Sequence, residues 1–169
     1  DDDVTLTNPT GARALGNVHL TNNSTLTLQA GTYNINSLEL TNDSEIVIAS
    51  GPGIINIIGT NDTTPLQLNS SSIRGTTTGD RWSAAQLTIN YAGTGQVQMV
   101  NDAVMVGQLN APNARVSINS SEVYGSVIGS TVDMNNDARI HFDRRLKSAA
   151  ASTYTVGADM LTSFSWKKY

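Results

Sequence analysis

The chain contains no cysteine. Disulfide frameworks and thiolate metal sites are thereby excluded, while export is not. Nowhere among the 169 residues is there an apolar run near the roughly 18 residues that a spanning helix needs. No membrane contact by this segment is expected. Charge is also scarce: Asp, Glu, Lys and Arg make up 14%, against about 25% in an average soluble domain. Aromatic residues are only 5%, and the net charge is −4. An acidic body with few rings does not suit nucleic acid, so that partner is not expected.

Lysine is missing until Lys147. Residues 1–137 hold 12 acidic and 4 basic side chains, and residues 138–169 hold 2 and 6, so the balance passes from −8 to +4. A basic C-terminal cap explains this, and head-to-tail self-association between copies is the sharper alternative.

What the chain has in abundance is Ser, Thr and Asn among recurring aliphatics. Such polar residues favour turns and strand surfaces over helix interiors. The stretch LTNNSTLTLQAG (residues 20–31) returns as LTNDSEIVIASG (residues 40–51). The unit is apolar–polar–apolar, then a short polar run, then apolar residues again. It recurs six times, at Val18-His19-Leu20, Leu38-Glu39-Leu40, Leu66-Gln67-Leu68, Val97-Gln98-Met99, Val116-Ser117-Ile118 and Val132-Asp133-Met134. Successive copies are 20, 28, 31, 19 and 16 residues apart.

Alternation of period two marks a strand with one buried face. The Asn/Asp/Ser run turns the chain, since these residues tolerate left-handed backbone. A second short strand follows each turn, as in Leu26-Thr27-Leu28, Ile46-Val47-Ile48 and Ile140-His141-Phe142. Repeats of this length, none able to bury its apolar face alone, predict a solenoid. The expected fold is all-β, a right-handed parallel β-helix of about six or seven coils with a C-terminal cap. A β-sandwich is the competing fold. The expected organisation is a solenoid over residues 1–146 and a capping tail over 147–169, with Leu161, Phe164 and Trp166 covering the open end. The two long spacings require insertions, and RGTTTGDR (residues 74–81) is one candidate. Helical pattern is confined to RRLKSAAAS (residues 144–152).

From Gly107 onward, the chain carries Ala111-Pro112-Asn113-Ala114, then Val123-Tyr124-Gly125-Ser126, then Ala138-Arg139-Ile140-His141-Phe142-Asp143 with Leu146, and closes on Phe164-Ser165-Trp166. In these features it resembles the C-terminal β-helical domain of bacterial PilX-like, type IV pilus-assembly-associated surface proteins. The resemblance implies an extracellular β-helix exported to the bacterial surface, with pilus components as partners. It carries no catalytic signature.

Several residues merit weighing as sites. His141 and Asp143 alternate onto one face of a strand, a pairing that could serve as a base or a metal ligand. With no nucleophile motif and no third ligand, a hydrogen-bonded corner is the preferred reading. Asp43, Asp102 and Asp137 occupy equivalent places in three copies of the turn. Stacked, they would form an acidic ladder able to take Ca²⁺ through oxygen ligands; serving their own turns is the simpler role. Arg74, Asp80, Arg81 and Trp82 put charge and an aromatic ring in one solvent-facing loop, a composition suited to binding a polysaccharide or cell-surface ligand. Trp82 could equally plug the solenoid wall. Thr5-Leu6-Thr7 and Thr25-Leu26-Thr27 raise an ice-binding face, but later copies do not continue the row. Six Asn-x-Ser/Thr sequons, at Asn22, Asn23, Asn42, Asn61, Asn69 and Asn119, follow from composition.

No cofactor and no enzymatic activity are expected. The function expected is a non-catalytic extracellular module acting in adhesion or as a structural, filament-forming subunit. A carbohydrate-binding module is the alternative, and a polysaccharide-active enzyme a lesser one.

Overall fold

A computed structural model of the chain describes residues 3–6, 12–59, 63–75 and 83–147. Its strands are β1 Asp3–Leu6, β2 Ala12–Leu15, β3 Val18–Leu20, β4 Thr25–Leu28, β5 Gly31–Ile35, β6 Leu38–Thr41, β7 Glu45–Ile48, β8 Gly53–Ile57, β9 Leu66–Asn69, β10 Ser72–Gly75, β11 Leu87–Tyr91, β12 Val97–Val100, β13 Val104–Asn119, β14 Glu122–Asn135 and β15 Arg139–Phe142. One 3-10 helix, Ala84–Gln86, precedes β11.

Every strand pairs in parallel with the strand one coil away, and three walls result. The first wall stacks β1, β4, β7, β10, the start of β13, the start of β14, and β15. The second stacks β2, β5, β8, β11 and the middles of β13 and β14. The third stacks β3, β6, β9, β12 and the ends of β13 and β14. The chain is thus a parallel β-helix of six coils plus the first wall of a seventh. Purely parallel pairing excludes the sandwich, whose sheets are antiparallel.

The six sequence copies are the third wall. Val18, Leu38, Leu66, Val97, Val116 and Val132 lie opposite one another in unbroken register. The long spacings are insertions at the other two corners. Coil three crosses from second to third wall over residues 58–65, where coil two uses 36–37. Coil four crosses from first to second wall over residues 76–86, where coil two uses 29–30. The RGTTTGDR insertion therefore stands where the spacing required one.

Side chains alternate along each strand, so every wall sends its columns inward. Leu26, Ile46, Ile73, Met105 and Val123 stack on the first, Tyr33, Ile55, Ile89 and Leu109 on the second, and Leu40, Leu68, Met99 and Ile118 on the third, all in one buried cluster. Full burial of such a side chain stabilises by about 1.5–3 kcal/mol. Among the described residues, the end coils have a neighbour on one side only. Met134 is 44% exposed, whereas Ile118, one coil earlier in the same column, is fully buried. The expected caps Leu161, Phe164 and Trp166, with the tail from residue 148, lie outside the described residues. Of the expected helical stretch, the described part is a single turn. It is closed by the Leu146 and Lys147 N–H groups donating to the Asp143 and Arg144 carbonyls. No helix among the described residues is long and apolar enough to cross a membrane.

Candidate functional site

The corner from third to first wall is built by the repeated polar run, in two lengths. Asn22-Asn23, Asn42-Asp43, Asn101-Asp102 and Asn136-Asp137 place two successive residues at φ between 53° and 61°, or 49° and 60° in the last case. Two left-handed residues in a row make a type I′ turn, for which Asn and Asp are favoured. Ser70 and Ser120, at φ 46° and 47°, each turn the chain alone. These short corners alternate with long ones from the second coil on. Asp43, Asp102 and Asp137 are consequently two coils apart, about 10 Å at the ordinary strand spacing, with Ser70 and Ser120 between them. They form no continuous acidic ladder. Among the described residues no three His, Cys, Asp or Glu side chains gather as a metal site. The Asp43 and Asp102 N–H groups donate to the Ser70 and Ser120 carbonyls at 2.6 and 2.7 Å, so each binds its corner to the next.

A short corner between two long ones leaves a notch. The first, about 310 Å³, is lined by Asp43, Ser70, Ser72, Asn101 and Asp102. The second, about 390 Å³, is lined by Asp102, Ser120, Glu122, Asn136, Asp137 and Arg139. Both open to solvent.

The first wall carries the charged clusters. Arg74 grips Glu45 with both arms of its guanidinium, Nε to Oε1 at 2.6 Å and Nη2 to Oε2 at 3.2 Å, while the Ser72 hydroxyl donates to the same Oε1 at 2.7 Å. Arg74 is therefore engaged on the wall. Asp80, Arg81 and Trp82, expected beside it as a binding loop, lie outside the described residues. Further along, Glu122 faces Arg139 across the ladder. Arg139 Nη1 donates to Glu122 Oε1 at 3.1 Å, and the Tyr124 hydroxyl donates to Oε2. His141 stacks on Tyr124, with ring centroids 4.5 Å apart and planes 12° from parallel, and its Nε2 lies 3.8 Å from Glu122 Oε2. The Tyr124 hydroxyl bond, aided by Arg139, holds the Glu122 carboxyl below its usual range, and the same bond raises the Tyr124 phenol.

Asp143 does not serve His141. It accepts the buried Ala84 N–H at 3.2 Å and the Arg145 N–H and Nε–H at 3.0 Å. Its carboxyl is lowered chiefly by the Arg145 bond. Asp143 thus makes a hydrogen-bonded corner, but with Ala84 and Arg145 rather than with His141, whose neighbouring acid is Glu122. Alternation along the strand located His141 on the outer face, but only the coil-to-coil register brought Glu122 to it.

The second wall is different again. Its outward positions form two rows: Thr32, Ile54, Thr88, Gln108 and Ser126 in one, and Asn34, Asn56, Asn90, Asn110 and Ile128 in the other. No charge interrupts them. The asparagines are linked amide to amide, Asn56 to Asn34 at 2.9 Å, Asn90 to Asn56 at 3.0 Å and Asn110 to Asn90 at 3.4 Å. This ladder was missed in the sequence, because its members are 22, 34 and 20 residues apart and the insertions hide the period.

The model of one family, described as a domain of unknown function (DUF7305), matches residues 2–149. No curated protein and no solved structure matches.

Proposed function

We propose, for a chain that belongs to the DUF7305 family of domains of unknown function, a non-catalytic role as an extracellular module of a bacterial surface or pilus-associated protein. It acts in adhesion through the outward rows of the second wall. The observation that carries this reading is the uncharged double row with its asparagine ladder. Neutral amides already held in place lose little entropy on contact. They also avoid the desolvation penalty of buried ions. Such a wall suits a broad surface contact more than the enclosure of a small substrate. The sequence resemblance to PilX-like surface proteins supports the location and the pilus partners.

End-to-end stacking into filaments meets an obstacle at the N-terminal end. Arg13 occupies the inward column of the second wall, opposite the buried Tyr33. A cation in an inward column of the first described coil disfavours addition of another sheet directly upon it.

The test is retention of labelled domain on intact bacteria and on isolated surface polymers. Wild-type domain is expected to be retained, and the pair Asn56→Lys with Asn90→Lys to be released. The control Gln67→Lys, on the third wall, should behave as wild type. Equal retention of all three would remove the second wall from the function. No retention of any would remove adhesion.

A further inference from the structure

The two notches share a backbone plan but differ in furnishing. Both have a long corner on either side, with Asp43 and Asp102 flanking the first and Asp102 and Asp137 the second. In the first, the strand leaving the floor presents Ser72 and then Arg74, which Glu45 already holds. In the second, the strand presents Glu122 and then Tyr124, and the next coil adds Arg139 and then His141. Only the second notch therefore opens beside an aromatic stack.

We propose that this second notch binds a hexosamine unit of a polysaccharide, one carrying a free amine. A sugar ring offers an apolar C–H face and a rim of hydroxyls. The Tyr124–His141 stack can take the face: the two rings lie 4.5 Å apart, and the His141 side chain is 46% exposed. His141 and Arg139 are two residues apart on one strand, roughly 7 Å, and Arg139 lines the notch, so a ring on His141 also reaches it. Glu122, Arg139 and Ser120 supply planar and hydroxyl partners for vicinal hydroxyls. The charge selects the sugar. Glu122 is neutralised by Arg139, while among the described residues the side chains of Asp102 and Asp137 meet no ion-pair or hydrogen-bond partner. Two uncompensated carboxylates on the flanks favour an ammonium and repel a uronic acid.

This site is on another face from the adhesive wall, so the two readings fail separately. The test is calorimetric titration with β-1,4-linked glucosamine oligomers, their N-acetylated forms and oligogalacturonate. Glucosamine oligomers should bind, more weakly at high salt, and the other two should not bind comparably. His141→Ala and Asp137→Asn should each weaken binding about tenfold or more. Asp137→Asn keeps the left-handed corner, which Asn tolerates, so it separates charge from folding. Asp43→Asn in the first notch should leave affinity unchanged. The proposal is overturned if glucosamine oligomers do not bind, if acetylated oligomers bind equally, or if the substitutions in the two notches act alike. Thermal melts of each variant exclude loss of fold.

Discussion

Single residues set the corners and the tightest contacts of the stack. Asn42 sits at φ 53° and Asp43 at 61°, a region where a Cβ costs roughly 1–2 kcal/mol unless the side chain offsets it. Asn42→Ala is expected to lower stability by about 1 kcal/mol, and Asn42→Gly to be near neutral, in denaturant melts. Gly125 allows no such latitude. At φ 150°, an added Cβ would stand 1.9 Å from the Gly107 carbonyl oxygen of the coil above. Gly125→Ala should therefore force the coils apart and yield little folded protein in a soluble-expression assay. Asp143 gives a pH signature. Its folded carboxyl is lowered by Arg145, so its contribution is present above the ordinary unfolded value of about 4 and is lost as pH falls through the folded value. Asp143→Asn should be less stable than wild type at neutral pH, and the gap should narrow on acidification through that window.

Elements matter here through repetition, since each strand is held by copies of itself. Asn56 illustrates this within the second wall. It donates to Asn34 and accepts from Asn90, whereas Asn110 ends the ladder with one longer bond. With each bond contributing about 1 kcal/mol net, Asn56→Ala should cost about 2 kcal/mol and Asn110→Ala well under half that. Equal losses in chemical denaturation would show that the amide bonds of the ladder do not set these stabilities. The 3-10 helix Ala84–Gln86 has a similar dependence on context. It packs against the glycine positions of the first wall, where a Cβ on Gly75 would meet Gln86 at 2.4 Å and one on Gly125 would meet Ala84 at 3.0 Å. Asp143 then ties the Ala84 N–H to the last described turn, so coil four and the chain after coil six brace each other.

For the whole molecule, stability is a sum over coils and their interfaces. Interior coils have neighbours on both sides, and among the described residues the first has one. β1 and β2 are largely exposed, while Ile55, Ile89 and Leu109 are buried. Hydrogen exchange should accordingly be slowest at the amides of Ile55, Ile89 and Leu109 and fastest in β1 and β2. Uniform protection along the stack would mean that the coils open as one unit. Charge follows the same large-scale division. Among the described residues, ion pairs lie on the first wall, just past its last strand and on the third, whereas the two outward rows of the second wall are uncharged, which is the basis of its proposed contact.

The sequence by itself determined the repeat, its corners and its parallel stacking. Alternation of period two identifies buried columns locally, and Asn-Asn, Asn-Asp and Ser turns state their backbone in their own chemistry. The six copies from Val18 to Met134 accordingly stand in the register their spacing implied. Which outward side chains meet was decided only by the tertiary structure. Partners such as Glu122 with His141, Arg74 with Glu45, and Asn56 with Asn90 are a full coil apart along the chain. The length of that coil depends on insertions whose size the local pattern does not encode. The same reason separates the three aspartates: the turn motif looks alike in each copy, but one residue fewer at Ser70 and Ser120 replaces a ladder with two notches.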